Sequence, residues 1–135
     1  MTEFRLWLPG YPVTTNHLFA SAVVSGKIRR FPTKAYKTWR QEAVYRLRSA
    51  AKTRGKFPSG EVELRLTLTP PDRRKRDASN AIKPLEDALV EAGVLGDDSQ
   101  IKRLVVEMGR SAPASGILIR ITEYAEAERG ELAAA

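Results

Sequence analysis

Residues 61–68 constrain the fold more strongly than any other segment, because apolar and polar side chains alternate there at every position. Such a period of two predicts a β-strand with one apolar face and one polar face. Gly60 precedes the segment and Pro70-Pro71 follows it, and both are typical boundaries of a strand. The apolar face has to pack against a second layer, so the pattern predicts a sheet covered on one side. The two faces consist of Val62, Leu64, Leu66 and Leu68 against Glu61, Glu63, Arg65 and Thr67.

The remaining periodic segments predict a small α+β domain. They are a strand at 3–8, a short hairpin around Ser25-Gly26, a helix after the N-cap residue Thr33, a helical stretch from Asp77 that Gly93 closes, and strands near 101–108 and 116–123. This order predicts one mixed β-sheet backed by two helices. We expect residues 1–124 to form one domain and residues 125–135 to form a frayed tail.

Charge and composition narrow the class of partner. The formal net charge is +7 and the pI is near 10.0, which favours polyanionic partners such as nucleic acids. The chain has no cysteine, so a metal site would have to use nitrogen and oxygen ligands. No segment approaches the roughly 20 apolar residues of a membrane span, and the N-terminus does not resemble a secretory signal. The sequence therefore predicts a cytoplasmic protein with no membrane partner.

One stretch combines carboxylates with cations. Asp77, Ser79, Asn80 and Lys83 open the second helical stretch, Asp97-Asp98 follow it, and the basic run 73–76 precedes it. Mg²⁺ binds one or two carboxylates together with water and substrate phosphate. Bound metal neutralises a scissile phosphate, and a lysine such as Lys83 can stabilise developing negative charge. This arrangement is typical of a metal-dependent nuclease.

The same residues also have a purely structural interpretation. Asp77 or Ser79 can cap the helix, Lys83 and Asp87 can form an i,i+4 ion pair, and Asp97-Asp98 can form a turn. The basic run can be a solvated loop. His17, the only histidine, has no evident partner, and Pro84 fits a helix only if that helix begins late.

The motif resembles that of RusA-type Holliday junction resolvases. The resemblance rests on the segment from Pro71 to Asn80, on Lys83, on Asp87-Ala88-Leu89, and on the segment from Asp97 to Ile101. It extends to the N-terminus, where Leu8-Pro9 and the segment from Pro12 to Asn16 are similar to the opening of that family.

The resemblance implies a homodimeric, Mg²⁺-dependent endonuclease that cuts four-way DNA junctions with paired nicks in recombination and repair, with Mn²⁺ as a substitute metal. It implies Asp77 and Asp98 as metal ligands, Lys83 as an essential basic residue and Asn80 as a motif residue. The family usually has aspartate where this chain has Ser79. A serine hydroxyl can ligate Mg²⁺, and we count Ser79 and Asp97 among the candidate ligands, with Asp87 or Asp72 as other sources of the missing charge.

The basic residues are expected to contact DNA phosphates, which would position the DNA without reading its sequence. The candidates are Arg73, Arg74, Lys75, Arg76, Lys27, Arg29, Arg30 and the opening-motif residue Asn16. Because Ser79 departs from the family pattern, a junction-binding protein of the same fold with weakened or lost catalysis is the alternative. An RNA-binding accessory protein also fits the charge, but it gives the acidic cluster no purpose.

Overall fold

The computed structural model describes residues 3–12 and 19–125, which form an α+β fold. Two helices and six strands account for most of this part of the chain, and one 3₁₀ turn precedes α2 and another precedes β5. The elements are β1 (Glu3–Pro9), β2 (Phe19–Val24), β3 (Lys27–Pro32), α1 (Lys34–Arg54), β4 (Val62–Thr69), the first 3₁₀ turn (Ala78–Ala81), α2 (Ile82–Glu91), the second 3₁₀ turn (Asp98–Gln100), β5 (Ile101–Met108) and β6 (Gly116–Glu123). The strands predicted near 3–8, 61–68, 101–108 and 116–123 are confirmed.

Four strands form a mixed sheet in the order β1-β6-β4-β5. β6 runs antiparallel to both β1 and β4, whereas β4 and β5 are parallel. A parallel pair needs a crossover connection, and α2 provides it. This crossover determines the position of the candidate site, because the residues before and after α2 belong to the same βαβ unit.

The apolar face of the sheet packs against both helices in one core. The leucines of β4, the isoleucines of β6, and Phe4 and Leu8 of β1 are almost fully buried, together with Leu47 of α1 and Leu85 and Leu89 of α2. The prediction from the alternating pattern of β4 is confirmed for the leucine face. Glu63, on the opposite face of β4, is also buried, and it pairs with Arg65 and Arg103.

The helical stretch predicted from Asp77 is divided into two parts. Residues 78–81 form a 3₁₀ turn, and the α-helix begins only at Ile82. Pro84 is therefore the third residue of α2, where its missing N–H has no partner within the helix. At the other end Gly93 adopts a φ of +79°, and its amide donates to the carbonyl of Val90 over 3.0 Å. Gly93 is thus the residue that ends the helix, as expected.

The prediction of a single sheet is wrong, because β2 and β3 form a separate two-stranded sheet. The hairpin around Ser25-Gly26 is itself confirmed. Every residue from 23 to 31 is exposed, and the cations of β3 lie on both of its faces. Such a hairpin has no face that can join the core, which explains why it stays outside the main sheet.

Across residues 3–12 and 19–125, no helix is long and apolar enough to cross a membrane.

Candidate active site

Lys83, in the first turn of α2, brings together two carboxylates. Its ammonium nitrogen lies 2.9 Å from Oδ1 of Asp87 and 3.8 Å from Oδ2 of Asp98. The first contact is the expected i,i+4 pair on the helix surface. The second joins α2 to the turn that follows it. The hydrogen bond that Lys83 donates to Asp87 and the negative charges of Asp87 and Asp98 raise the pKa of Lys83, so the side chain is an ammonium at neutral pH.

The second 3₁₀ turn holds Asp98 in this position through the side chain of Gln100. The Oε1 atom of Gln100 accepts hydrogen bonds from the amides of Gly96 and Asp97 at 2.7 and 2.8 Å. Its Nε2 group donates to the carbonyls of Phe57 and Gly60 at 3.1 and 2.9 Å. Gln100 therefore ties the turn to the loop before β4. The sequence motif contains this residue, but sequence reasoning gave it no role.

Gly96 is also required for this turn. A Cβ atom at position 96 would overlap the carbonyl oxygen of Pro58. The close approach of the two backbones allows the turn to pack beside the loop at 57–60, so a side chain at position 96 would force the turn or the loop to shift.

The neighbouring carboxylates of Asp97 and Asp98 face different partners. The Asp97 side chain accepts hydrogen bonds from the amide and the hydroxyl of Ser99, and it caps its own turn. These bonds, with the one from the hydroxyl largest, lower the pKa of Asp97. Asp98, by contrast, points toward Lys83. The turn expected from sequence is thus formed by Asp97, while Asp98 keeps its carboxylate available.

Asp77, Ser79 and Asn80 lie in the segment that leads into α2. Asp77 precedes the first 3₁₀ turn, and its carbonyl accepts a hydrogen bond from the amide of Asn80 over 3.1 Å. Its side chain does not cap this turn, contrary to the structural interpretation of the sequence. Asp77 and Ser79 are both exposed, and Asn80 is half-buried. All three residues therefore lie in the chain just before the end of α2 that carries Lys83.

Glu86 is a carboxylate near this site that sequence reasoning did not identify. It follows Lys83 by three residues, a spacing that places two helical side chains on neighbouring positions of the surface. Partial burial raises its pKa, and the negative charge of Asp98 raises it further. The helical spacing from Lys83 was the available sequence signal. Within the described ranges, no three Asp, Glu, His or Cys side chains are grouped closely enough to enclose a metal ion.

Asp72 organises the basic run 73–76, which precedes Asp77 in the chain. Its carboxylate binds Arg76 at 2.8 Å and Arg74 at 3.2 Å. The Arg76 side chain is only 16% exposed, and its guanidinium lies 5.5 Å from the centre of the Tyr11 ring. Arg76 thus holds the loop together, whereas the other three members of the run are exposed. Asp72 is itself neutralised by these arginines and adds little net negative charge to the site.

The Asp72 carboxyl is expected to titrate near pH 2, because its hydrogen bond with Arg76 lowers the pKa from 3.8 to about 2. The folded-state pKa is depressed, so the loop contacts are complete above the ordinary carboxyl pKa and are lost as the pH falls through about 2. Carboxyl-carbon NMR would measure the midpoint. The variant Arg76→Gln should raise it toward 3.8, and Arg73→Gln serves as the matched control. An unchanged midpoint in Arg76→Gln would contradict the assignment.

The basic run also lines a cavity that an arginine from another loop completes. The cavity has a volume of about 520 Å³, and Arg110, which follows β5, joins Arg73, Arg74 and Arg76 around it. The amide of Ala112 donates to the carbonyl of Pro70 over 2.9 Å and holds the two loops together. Arg110 is a candidate phosphate contact that sequence reasoning missed, since it is distant in the chain.

The other candidate DNA contacts lie on the hairpin or outside the described ranges. Lys27, Arg29 and Arg30 of β3 are exposed, and the guanidinium of Arg30 lies 4.2 Å from the centre of the Phe19 ring. Asn16 and His17 lie outside the described residues. The candidate DNA contacts that the structure describes therefore lie in two places, the loops that follow β4 and β5 and the separate hairpin.

Taken together, the structure offers two open surfaces. One carries the Lys83 ammonium with the carboxylates of Asp87 and Asp98 before β5, and the other carries the arginines of the basic run with Arg110 after β5. Carboxylates such as Asp98 and Asp77 can bind a hard cation with water completing its coordination. Exposed arginines can bind phosphate through paired hydrogen bonds. The first surface is therefore suited to a hard cation, and the second is suited to the phosphate groups of a nucleic acid.

Comparisons with known proteins agree with this chemistry. The family described as Endodeoxyribonuclease RusA matches residues 9–122. One similar protein is the crossover junction endodeoxyribonuclease RusA of Aquifex aeolicus (strain VF5), which is 29% identical over 124 residues and covers 92% of this chain and 94% of its own. Another is the crossover junction endodeoxyribonuclease of Enterobacteria phage HK97, which is 34% identical over 67 residues, or 50% of this chain and 56% of its own.

The matched range includes β4, β5, β6 up to Thr122 and all of the candidate site, whereas only Pro9 of β1 lies within it. The resemblance seen in the sequence motif is confirmed over most of the chain. The protein belongs to the RusA family of endodeoxyribonucleases.

Proposed function

We propose that this chain is a divalent-metal-dependent endonuclease that resolves four-way DNA junctions by paired nicks. The observation that carries the proposal is the contact of Lys83 with Asp98, which joins the beginning of α2 to the turn after it. The printed names of the two relatives, both crossover junction endodeoxyribonucleases, support the choice of substrate.

The residues of the site fit a metal that is only partly enclosed by protein. The Lys83 ammonium lies between the carboxylates of Asp87 and Asp98. The electrostatic potential between these carboxylates is therefore negative and favours a bound cation. Since the described part of the chain has no cluster of three acidic ligands, water and substrate phosphate would complete the coordination. Mg²⁺ accepts such a mixed set of ligands, and Mn²⁺ prefers oxygen ligands as well.

In this proposal Asp98 and Asp77 hold the metal, with the hydroxyl of Ser79 as an additional ligand. A bound divalent ion would supply an activated water and neutralise charge on the phosphate. The Lys83 ammonium stabilises negative charge on the phosphate oxygens, and it orients the phosphate toward Asp98. Asn80 lies half-buried at the same end of α2, and we assign it a positioning role. We assign Asp97 to capping the turn, because Ser99 occupies its carboxylate.

The exposed cations would bind the arms of the junction through their phosphates. Arg73 and Arg74 line one cavity with Arg110, and Lys75 of the same run is exposed. Each phosphate contact changes the slope of log K against log salt by about −0.9 for duplex DNA. Junction binding should therefore weaken strongly as salt increases.

Paired nicks require two active sites, so we propose a homodimer with two-fold symmetry. Each protomer would cut one strand, and the two-fold axis of the protein would match that of the junction. The cytoplasm, where DNA recombination and repair would use such an enzyme, stays the predicted location.

Cleavage of a synthetic four-way junction tests the proposal. A labelled junction is incubated with the protein with and without Mg²⁺, and a linear duplex of the same sequence serves as the control. We expect symmetric nicks in the junction only when Mg²⁺ is present. Salt-sensitive binding of the junction without any cleavage would reject the enzyme and support the non-catalytic alternative.

The variant Ser79→Asp is expected to lower the Mg²⁺ concentration that gives half-maximal cleavage by roughly tenfold, because it adds a charged oxygen ligand. A Mg²⁺ titration of the cleavage rate gives this value directly. Ser49→Asp, the same substitution at an exposed serine of α1, should not produce the same gain. If Ser79→Asp leaves the Mg²⁺ requirement unchanged, position 79 is not a ligand.

A further inference from the structure

The tip of the β2–β3 hairpin exposes a pair of large apolar side chains. Val23 is 73% exposed and Ile28 is 80% exposed. The two residues are direct partners across the hairpin, so their side chains lie side by side on one face. Exposed aliphatic side chains are common singly, whereas these two form one contiguous apolar surface at a projecting tip, where another molecule can reach it.

The hairpin is shaped as a narrow projection. Ser25 and Gly26 both have positive φ angles, of 51° and 76°, which gives a two-residue turn that matches the twist of the strands. Two strands of six residues extend about 20 Å and lie about 4.8 Å apart. At the base, the Phe19 ring packs edge-on against the buried Tyr36 of α1, with centroids 5.9 Å apart. The tip is therefore held at a distance from the core.

The charge of the hairpin identifies the kind of partner. Residues 19–32 contain three cations and no acidic residue. All three are exposed: Arg30 lies on the same face as Ile28, and Lys27 and Arg29 lie on the opposite face. A polyanion that also offers apolar surface fits both features. Stacked duplex DNA hides the faces of its bases, whereas the branch point of a junction can expose them, and apolar side chains enter DNA at such unstacked steps.

We propose that the β2–β3 hairpin is a recognition element that inserts Val23 and Ile28 against unstacked bases at the branch point of a DNA junction, while its cations bind the flanking phosphates. This inference rests on the proposed function, because it explains how the same enzyme would prefer a junction over a linear duplex. The three cations bind either DNA form, so the apolar pair accounts for the preference between them.

The test uses the full-length protein and two DNA probes, a four-way junction with 2-aminopurine at the branch point and a linear duplex of matched sequence. In the double variant Val23→Thr/Ile28→Thr, threonine keeps the strand preference of the β-branched residues and removes apolar surface. We expect the ratio of duplex Kd to junction Kd to fall by roughly tenfold, and the fluorescence increase at the branch point to be lost. Leu104→Thr, at an exposed leucine of the edge strand β5, is the matched control. This variant should retain the Kd ratio and the fluorescence increase of the unmodified protein.

The variant Ile28→Phe protects the test against a simple loss of folding. A larger apolar side chain at the tip should increase the branch-point fluorescence, and misfolding cannot produce that gain. An unchanged Kd ratio in the double threonine variant would overturn the proposal. A change in oligomeric mass of that variant, measured by light scattering, would instead identify the tip as a contact between copies of the chain and would also overturn it. If the unmodified protein binds both DNA forms equally, the proposed function itself fails.

Discussion

The variant Asp98→Asn is expected to reduce the rate of junction cleavage by at least about 100-fold, while junction affinity changes little. The reason is geometric and electrostatic: Asp98 is the carboxylate of the turn that faces Lys83, at 3.8 Å from its ammonium. Asparagine has nearly the same shape but no charge, so the turn should remain while the metal affinity falls. Single-turnover cleavage and a binding assay without divalent metal measure the two effects separately.

Asp97→Asn is the matched control for this variant. Asparagine also caps a helical turn well, so Asp97→Asn should keep the hydrogen bonds to Ser99 and most of the activity. The adjacent positions thus receive the same chemical change with opposite expected outcomes. Equal losses of activity in the two variants would contradict the assignment of Asp98 as the ligand and Asp97 as the cap.

The variant Lys83→Gln is expected to slow cleavage by about 10²–10³-fold, since it removes the cation that would stabilise charge on the phosphate. The same variant should strengthen metal binding, although it slows cleavage. The ammonium of Lys83 lies between Asp87 and Asp98 and competes with a metal for their negative charge. Removing it should therefore tighten Mg²⁺ binding, which a competition assay with Mn²⁺ would detect.

Lys52→Gln, a substitution of an exposed lysine in the last turn of α1, is the control for Lys83→Gln. It makes the same change in net charge, so a general electrostatic effect on DNA binding would appear in both variants. Slower cleavage combined with weaker metal binding in Lys83→Gln would show that the lysine supports the metal site only indirectly, and would contradict the proposed role.

The local elements were predictable from sequence because short-range patterns determine them. The alternation of β4, the cap at Thr33 and the glycine at position 93 each depend on neighbours in the chain, and the structure has all three. The Lys83–Asp87 pair follows from helical spacing in the same way. The family was also predictable, because its motif is dense between Pro71 and Ile101.

The separate hairpin was not predictable from the order of elements. The turn residues Ser25-Gly26 predict that β2 and β3 pair with each other. They do not predict whether this pair joins a larger sheet. That outcome depends on whether either face can be buried, and the exposed residues 23–31 show that neither is.

The sequence by itself determined the elements, the family and the residues available for chemistry. Only the tertiary structure decided which of those residues meet. Asp97 and Asp98 are adjacent residues of the same type. The hydrogen bonds from Gln100 to Phe57 and Gly60 nevertheless hold the turn so that Asp98 faces Lys83. Arg110 likewise joins the basic run only because β4 and β5 are parallel neighbours, with their following loops side by side. Contacts between residues distant in the chain depend on packing of the whole sheet, and no local pattern in the sequence encodes them.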